Sequence, residues 1–193
     1  MWENLGKYDI VLGSQSPRRV ELLRGLDITF RQDAMPDVDE SYPESLALEA
    51  IPEYIARQKA AAYSSRMGCD TLLITADTIV LLGDQVLGKP RDLDEAKSIL
   101  RKLSGQEHRV ITGVCVQTSS RCEHFSCTTR VKFAELNARD IDYYTQHYRP
   151  LDKAGAYGIQ EWVGYRAIKS IEGSFYNVMG LPVHRLSSVL ETF

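Results

Sequence analysis

Several features that would have decided the class of this chain are missing from its sequence. No apolar run reaches the ~18 to 20 residues that a membrane-spanning helix needs. The start, Met1-Trp2-Glu3-Asn4, lacks the pattern of a signal peptide. The expectation is a soluble, cytoplasmic chain with no membrane partner. The four cysteines, at 69, 115, 122 and 127, form no Cys-x-x-Cys pair, so neither a zinc ribbon nor a thioredoxin motif is available. His124 lies within the Cys115 to Cys127 cluster, which leaves a metal site open. The simpler reading is two strands and their connection, with thiols kept reduced in a cytosol. Basic charge is not in excess either: 23 Lys and Arg stand against 26 Asp and Glu, a formal net charge of -3. That argues against a partner that is a nucleic acid polymer but not against a small anionic substrate, which a few local cations can hold. No internal repeat, low-complexity stretch or linker divides the 193 residues, so one domain over 1–193 is expected. A chain this long buries roughly 70% of its unfolded surface and needs no disulfide staples.

What is present reads as alternating strands and helices. Ile10-Val11-Leu12 is a short buried strand that breaks into Gly13-Ser14-Gln15-Ser16-Pro17. A helix follows, with Ser16 as N-cap and Pro17 at its first position. Residues 52–66 look helical around Ala60-Ala61-Ala62. Leu72 to Leu82 is the longest apolar run and reads as a central strand. Gly83-Asp84 turns it into Gln85-Val86-Leu87 as a hairpin. Asp92 caps a helix through Leu103. Val110 to Gln117 and Thr128 to Phe133 are further strands, Ala138 to Tyr148 a helix, and Tyr165 to Ile171 a later strand. Residues 177–182 look like a strand-to-helix turn, and Pro182 opens a C-terminal helix. The pattern predicts an α/β domain with a mixed sheet rather than a purely doubly wound one.

Three stretches break the ordinary pattern. Asp77 stands at the centre of the longest apolar run, where an unpartnered carboxylate costs several kcal/mol or takes up a proton. It should therefore face a cation, a metal ion or a water-filled cleft, unless the strand is an edge with a wet face. The hairpin offers one cation: a two-residue turn pairs Leu82 with Gln85 and, counting back, Thr78 with Lys89, which Pro90 holds at the strand end. Second, Ser14-Gln15-Ser16-Pro17-Arg18-Arg19 leads a strand into a helix N-terminus. Free N–H groups, two hydroxyls and two guanidiniums suit a phosphate there, though an ordinary capped helix with surface arginines fits too. The stretch is neither a P-loop nor a dinucleotide fingerprint. Third, Asp152-Lys153-Ala154-Gly155-Ala156-Tyr157-Gly158-Ile159-Gln160 has glycines that permit close backbone approach, with Tyr157 and Gln160 able to meet a base.

Together these stretches resemble the Maf-like nucleoside triphosphate pyrophosphatases, once described as septum-formation inhibitors. The matching segments are Ser14 to Arg19, Ala56-Arg57-Gln58-Lys59-Ala60, Ala76-Asp77-Thr78, Gly88-Lys89-Pro90, Leu103-Ser104-Gly105, Leu151 to Gln160 and Met179-Gly180-Leu181-Pro182. They appear in family order from about residue 9 to the C-terminus. The segment from Asp152 to Gln160 is similar to the branch that hydrolyses dTTP and UTP, not to the one acting on 7-methyl-GTP. Where the family more often has alanine, this chain has Gly13, a change expected to leave phosphate binding intact.

The resemblance implies an inosine triphosphatase-like fold, an elongated mixed β-sheet flanked by helices with a central cleft between two lobes. It implies hydrolysis between the α- and β-phosphates of a nucleoside triphosphate, with a divalent cation, Mg²⁺ or Mn²⁺. Asp77 matches the family's proton acceptor. Arg19, Thr78 and Gln160 match its specificity positions, and Ser14, Lys59 and Lys89 match polar positions lining the cleft. Arg18, Arg19, Lys59 and Lys89 would hold the triphosphate, and Asp77 with Asp39 or Glu40 would hold the metal; Asp37 stands in the same acidic loop. Lys59 on its own reads as a solvated helix residue, so its role comes from the resemblance. A homodimer is a family-level expectation. The alternatives are a family enzyme with another base preference and a nucleotide-binding regulator of cell division.

Overall fold

The longest apolar run becomes the strand that its composition demands. In the computed structural model, which describes residues 2–36 and 38–193, this strand is β3 (Thr71–Leu82), buried over most of its length. Asp37 of the acidic loop lies outside the described residues. The other strands are β1 (Asp9–Leu12), β2 (Arg31–Gln32), β4 (Gln85–Leu87), β5 (Glu107–Gln117), β6 (Cys122–Phe133) and β7 (Ile168–Glu172). They form a seven-stranded sheet in the order β2-β1-β3-β5-β6-β7, with β4 also paired to β3. β1 runs parallel to β2 and β3, while β4 is antiparallel to β3 and β7 to β6. The sheet is therefore mixed, as expected. The helices are α1 (Pro17–Arg24), α2 (Ile51–Tyr63), α3 (Leu93–Leu103), α4 (Ala138–Tyr148), α5 (Trp162–Ala167), α6 (Phe175–Met179) and α7 (Val183–Leu190). Among the described residues, no helix is long and apolar enough to cross a membrane.

The residues fall into two compact units. The first takes residues up to 77, 112–127 and 180–193, and the second takes 78–111 and 128–179. In the first unit Val11, Leu73 and Cys115 of the sheet pack on Ala56, Ala60 and Tyr63 of α2, with Met35 and Met67 against them. Small residues on this face of α2 let the helix lie close to the strands. At the start of α2 the approach is closer still: a Cβ on Gly113 would stand 2.1 Å from the backbone nitrogen of Glu53. The Thr75 hydroxyl then donates to the Ala56 carbonyl at 2.6 Å, tying α2 to β3. The cysteines of the β5–β6 hairpin are free thiols, with Cys115 Sγ 3.6 Å from Cys122 Sγ. Burial pushes the Cys115 thiol up, so it stays protonated. His124 is hydrogen-bonded to Glu53 at 2.8 Å, and no group of three metal-ligating side chains occurs among the described residues.

In the second unit Asp92 caps α3 by accepting from the Glu95 N–H, and Asn137 with Asp140 forms a capping box on α4. The β3–β4 register pairs Leu82 with Gln85 across Gly83-Asp84, as read from the sequence. The ladder stops at Val80–Leu87, so the Thr78–Lys89 pair does not form. The next carbonyl, that of Gly88, accepts instead from Gly155 N–H at 3.2 Å. Two other expectations are corrected. Residues 165–167 belong to α5, because Val163 and Ala167, four apart, share a buried face while Tyr165 is 88% exposed; only from Ile168 does the chain extend. Residues 177–179 likewise end α6, and the turn that follows is made by Gly180 at φ +116°.

His108 is buried in this unit, edge-on to Phe133 and Tyr157, with Nε2 2.8 Å from the Tyr157 hydroxyl. Burial pushes its pKa from 6.5 down to about 4. The folded chain thus holds the imidazole neutral, while the unfolded chain takes up its proton near 6.5. Stability from this residue is complete above pH 6.5 and is lost as the pH falls toward 4, a change of about 3 kcal/mol. Urea melts from pH 7 to 4 should show this slope, and a His108→Gln variant should lose it.

Candidate active site

The turn after β1 is held open by side chains rather than by its helix cap. Gly13 N–H continues the parallel pairing by donating to the Ile74 carbonyl at 2.8 Å. Ser14 then turns inward and is buried. Its Oγ accepts from the Ser16 N–H at 3.3 Å and from Arg19 Nη1 at 3.2 Å, while its carbonyl accepts from Gln32 Nε2 at 2.7 Å. Ser16 holds the N-cap position of α1 in an extended conformation, but its side chain makes no capping bond. The hydroxyl predicted to cap the helix is therefore free of that task, and Ser14 anchors the turn instead.

Arg19 braces three segments of the first unit. Nε donates to the Gly180 carbonyl at 2.8 Å, and Nη1 donates to the Ala76 carbonyl at 2.9 Å as well as to Ser14. Burial lowers the Arg19 pKa, and the Asp77 and Glu40 carboxylates oppose that shift while Arg18 adds to it. A guanidinium suits this position because its fork meets several fixed acceptors at once. Much of Arg19 is thus committed to the protein, fixing the strand residue just before Asp77. Arg18, beside it in the first turn of α1, is partly buried.

The cation that meets Asp77 in the first unit is Lys59 of α2. Its Nζ lies 2.7 Å from Asp77 Oδ1 and 2.8 Å from Glu40 Oε1. The Lys59 and Asp77 side chains are 16% and 14% exposed, whereas Glu40 is 51% exposed. One ammonium thus joins a carboxylate on the strand to one on the acidic loop. Asp39, next to Glu40, spends its carboxylate on Ser41, accepting from its N–H and its hydroxyl at 2.9 Å each. Those bonds hold the Asp39 carboxyl below its usual range. Taken alone in the sequence, Lys59 passes for a solvated helix residue, and the family resemblance is what singled it out. The missed signal is its spacing: it follows Ile55 by four and Ala56 by three, which places it on the buried stripe of α2.

In the second unit, Thr78 follows Asp77 on β3 and is partly buried, and Lys89 is exposed just past β4. Gln160 is partly buried, and its Oε1 is shielded from solvent without a hydrogen-bond partner among the described residues. It ends a loop whose backbone reaches positive φ at Gly155 (+70°) and at Ala156 (+56°). A Cβ on Gly155 would stand 2.9 Å from a Val80 methyl, so only glycine suits that position.

A mixed sheet flanked by helices makes this an α/β fold, and its first unit carries a serine and arginine turn and a lysine shared by two carboxylates. The Maf-like protein family model matches residues 9–193, and the chain belongs to that family. It is 58% identical over 195 residues to a dTTP/UTP pyrophosphatase of Porphyromonas gingivalis, covering 100% of this chain and 98% of that protein. A dTTP/UTP pyrophosphatase of Phocaeicola vulgatus is 54% identical, with 99% of each chain covered. Among solved structures, a HAM1 protein from Coxiella burnetii shares the fold at a TM-score of 0.50 and 17% identity, covering 96% of this chain and 100% of that one.

Proposed function

We propose that this chain is a nucleoside triphosphate pyrophosphatase that hydrolyses dTTP and UTP to the monophosphate and pyrophosphate. Two relatives bearing the name dTTP/UTP pyrophosphatase match it over essentially their whole length. The single geometric observation that carries the reading is Lys59, held between Asp77 and Glu40. In the reaction a water oxygen bonds to the α-phosphorus and the bond from that phosphorus to the α–β bridging oxygen breaks. The pyrophosphate departs with the bond's electron pair, and the water proton passes to the Asp77 carboxylate. Lys59 orients that carboxylate, leaving Oδ2 for the water. The positive charges of Lys59 and Arg18 offset the charge growing on the leaving pyrophosphate. Ser14 and Arg19 hold the turn and β3 in register for this.

The residues present fit a divalent cation. Glu40 and Asp77 meet on one ammonium, and magnesium or manganese commonly shares one or two carboxylates with substrate phosphates. When bound, such an ion neutralises phosphate charge. Glu40 is its better ligand, because a carboxylate bound to metal is a poor base and Asp77 takes the proton.

Gln160 reads the base in this proposal. Its shielded, unpartnered Oε1 suits the N3–H of uracil or thymine, and the amide N–H₂ suits a ring carbonyl. Gln160→Ala should lower the ratio of kcat/KM for dTTP over CTP about tenfold, with kcat changed less, as steady-state assays would show. The function as a whole is tested by product analysis with dTTP, UTP, CTP, GTP, ATP and 7-methyl-GTP, with and without Mg²⁺ or Mn²⁺. Metal-dependent monophosphate and pyrophosphate from dTTP and UTP are expected. Preference for another base would overturn the substrate assignment.

A further inference from the structure

The loop that ends in Gln160 is closed by a chain of polar side chains that phosphate chemistry does not require. Lys153 is buried, and its Nζ lies 2.8 Å from Asp152 Oδ1 and 3.1 Å from Glu161 Oε1. The other Glu161 oxygen, Oε2, accepts from the hydroxyl of Tyr144 on α4, which is fully buried. That hydroxyl in turn accepts from the Gly158 N–H at 2.9 Å. The Glu161 carboxyl also fills the space beside Gly158, where a Cβ would stand 2.7 Å from it. Lysine, glutamate and tyrosine therefore tie the first, middle and last parts of the segment 153–161 to one another and to α4.

We propose that Tyr144, Glu161 and Lys153 are positioning residues for base selectivity, fixing the loop so that Gln160 meets the base in one place. The proposal rests on Gln160 reading the base. A carboxamide that can shift or turn over presents a donor or an acceptor at the same point, and so pairs with cytosine as readily as with uracil. Discrimination between the two bases depends on holding the backbone that carries it. Gln160 precedes Glu161 directly, and Gly158, two residues earlier, is held by Tyr144. Loosening either contact frees the reader while leaving Ser14, Lys59 and Asp77 in place.

The test compares Tyr144→Phe and Glu161→Gln with the parent enzyme on dTTP and CTP, with folding followed by thermal melts. Tyr144→Phe keeps the ring and removes only the hydroxyl, and Glu161→Gln keeps an acceptor for Tyr144. The expected result is a roughly tenfold fall in the dTTP to CTP ratio of kcat/KM for Tyr144→Phe, carried mainly by KM for dTTP, with a smaller fall for Glu161→Gln. In a Gln160→Ala background, Tyr144→Phe should change the ratio less than about twofold, because the residue through which it acts is gone. An unchanged ratio, or an equal loss of kcat on both nucleotides, would overturn the proposal. If Tyr144→Phe does not fold, Glu161→Gln alone decides it by the same ratio. Gln160→Ala separates the two failures: an unchanged ratio in that variant removes base reading by Gln160. A collapsed ratio there, with Tyr144→Phe and Glu161→Gln unaffected, removes only the positioning role.

Discussion

Asp77→Asn should lower kcat for dTTP hydrolysis by about three orders of magnitude, within the range that a positioned general base contributes. The substitution keeps the shape and an oxygen for Lys59 Nζ, which lies 2.7 Å from Oδ1 in the parent. It removes the proposed proton acceptor. Nucleotide binding should change little, because in the proposed reaction cations rather than this carboxylate hold the triphosphate. Calorimetry with dTTP would then give a dissociation constant near that of the parent. Glu40→Gln should behave differently, with kcat at saturating metal largely kept and the Mg²⁺ concentration for half-maximal activity raised. If Asp77→Asn instead raised the metal requirement and full activity returned with excess Mg²⁺, Asp77 would be the metal ligand and not the base.

Lys59→Met should be the next most damaging change, reducing kcat/KM for dTTP about a hundredfold. Methionine keeps the apolar stem against α2, so the loss reads the ammonium rather than the packing. Without it, Asp77 and Glu40 lose a cation that lies under 3 Å from both, and the carboxylates repel one another. Lys59→Arg should recover only part of the activity. Its broader, planar head cannot stand between two carboxylates as a compact ammonium does. Steady-state kinetics on both variants, with melts to show retained folding, check this. A Lys59→Met enzyme within threefold of the parent would remove Lys59 from the reaction.

The parts of this structure that could be read in advance are those fixed by local pattern. The apolar run around β3, the turn at Gly83-Asp84 with its Leu82–Gln85 register, and the Asp92 cap follow from residues close in sequence. Asp77 stood out because a carboxylate interrupted that run. Its partner stood out only through the family resemblance, because a single lysine on an alanine-rich helix resembles any solvated lysine until α2 is laid on the sheet. The Thr78–Lys89 pairing failed for a similar reason: the register was right, but the Gly88 carbonyl is taken by Gly155, far along the chain. Ser14 displaced Ser16 as the side chain that anchors the α1 turn, since a buried hydroxyl can meet both Arg19 and a backbone N–H. The Tyr144–Glu161–Lys153 chain left no trace in sequence spacing, because its members meet only through the packing of the loop on α4.

The most direct measurement is a single turnover of dTTP in ¹⁸O-labelled water, with the products separated and weighed. Attack on the α-phosphorus, assisted by Asp77 and with pyrophosphate as leaving group, predicts one ¹⁸O in dTMP and none in pyrophosphate. Label in the pyrophosphate would move the attack to the β-phosphorus, and dTDP with labelled inorganic phosphate would place the cleaved bond elsewhere. Either result would contradict the reaction assigned to this site.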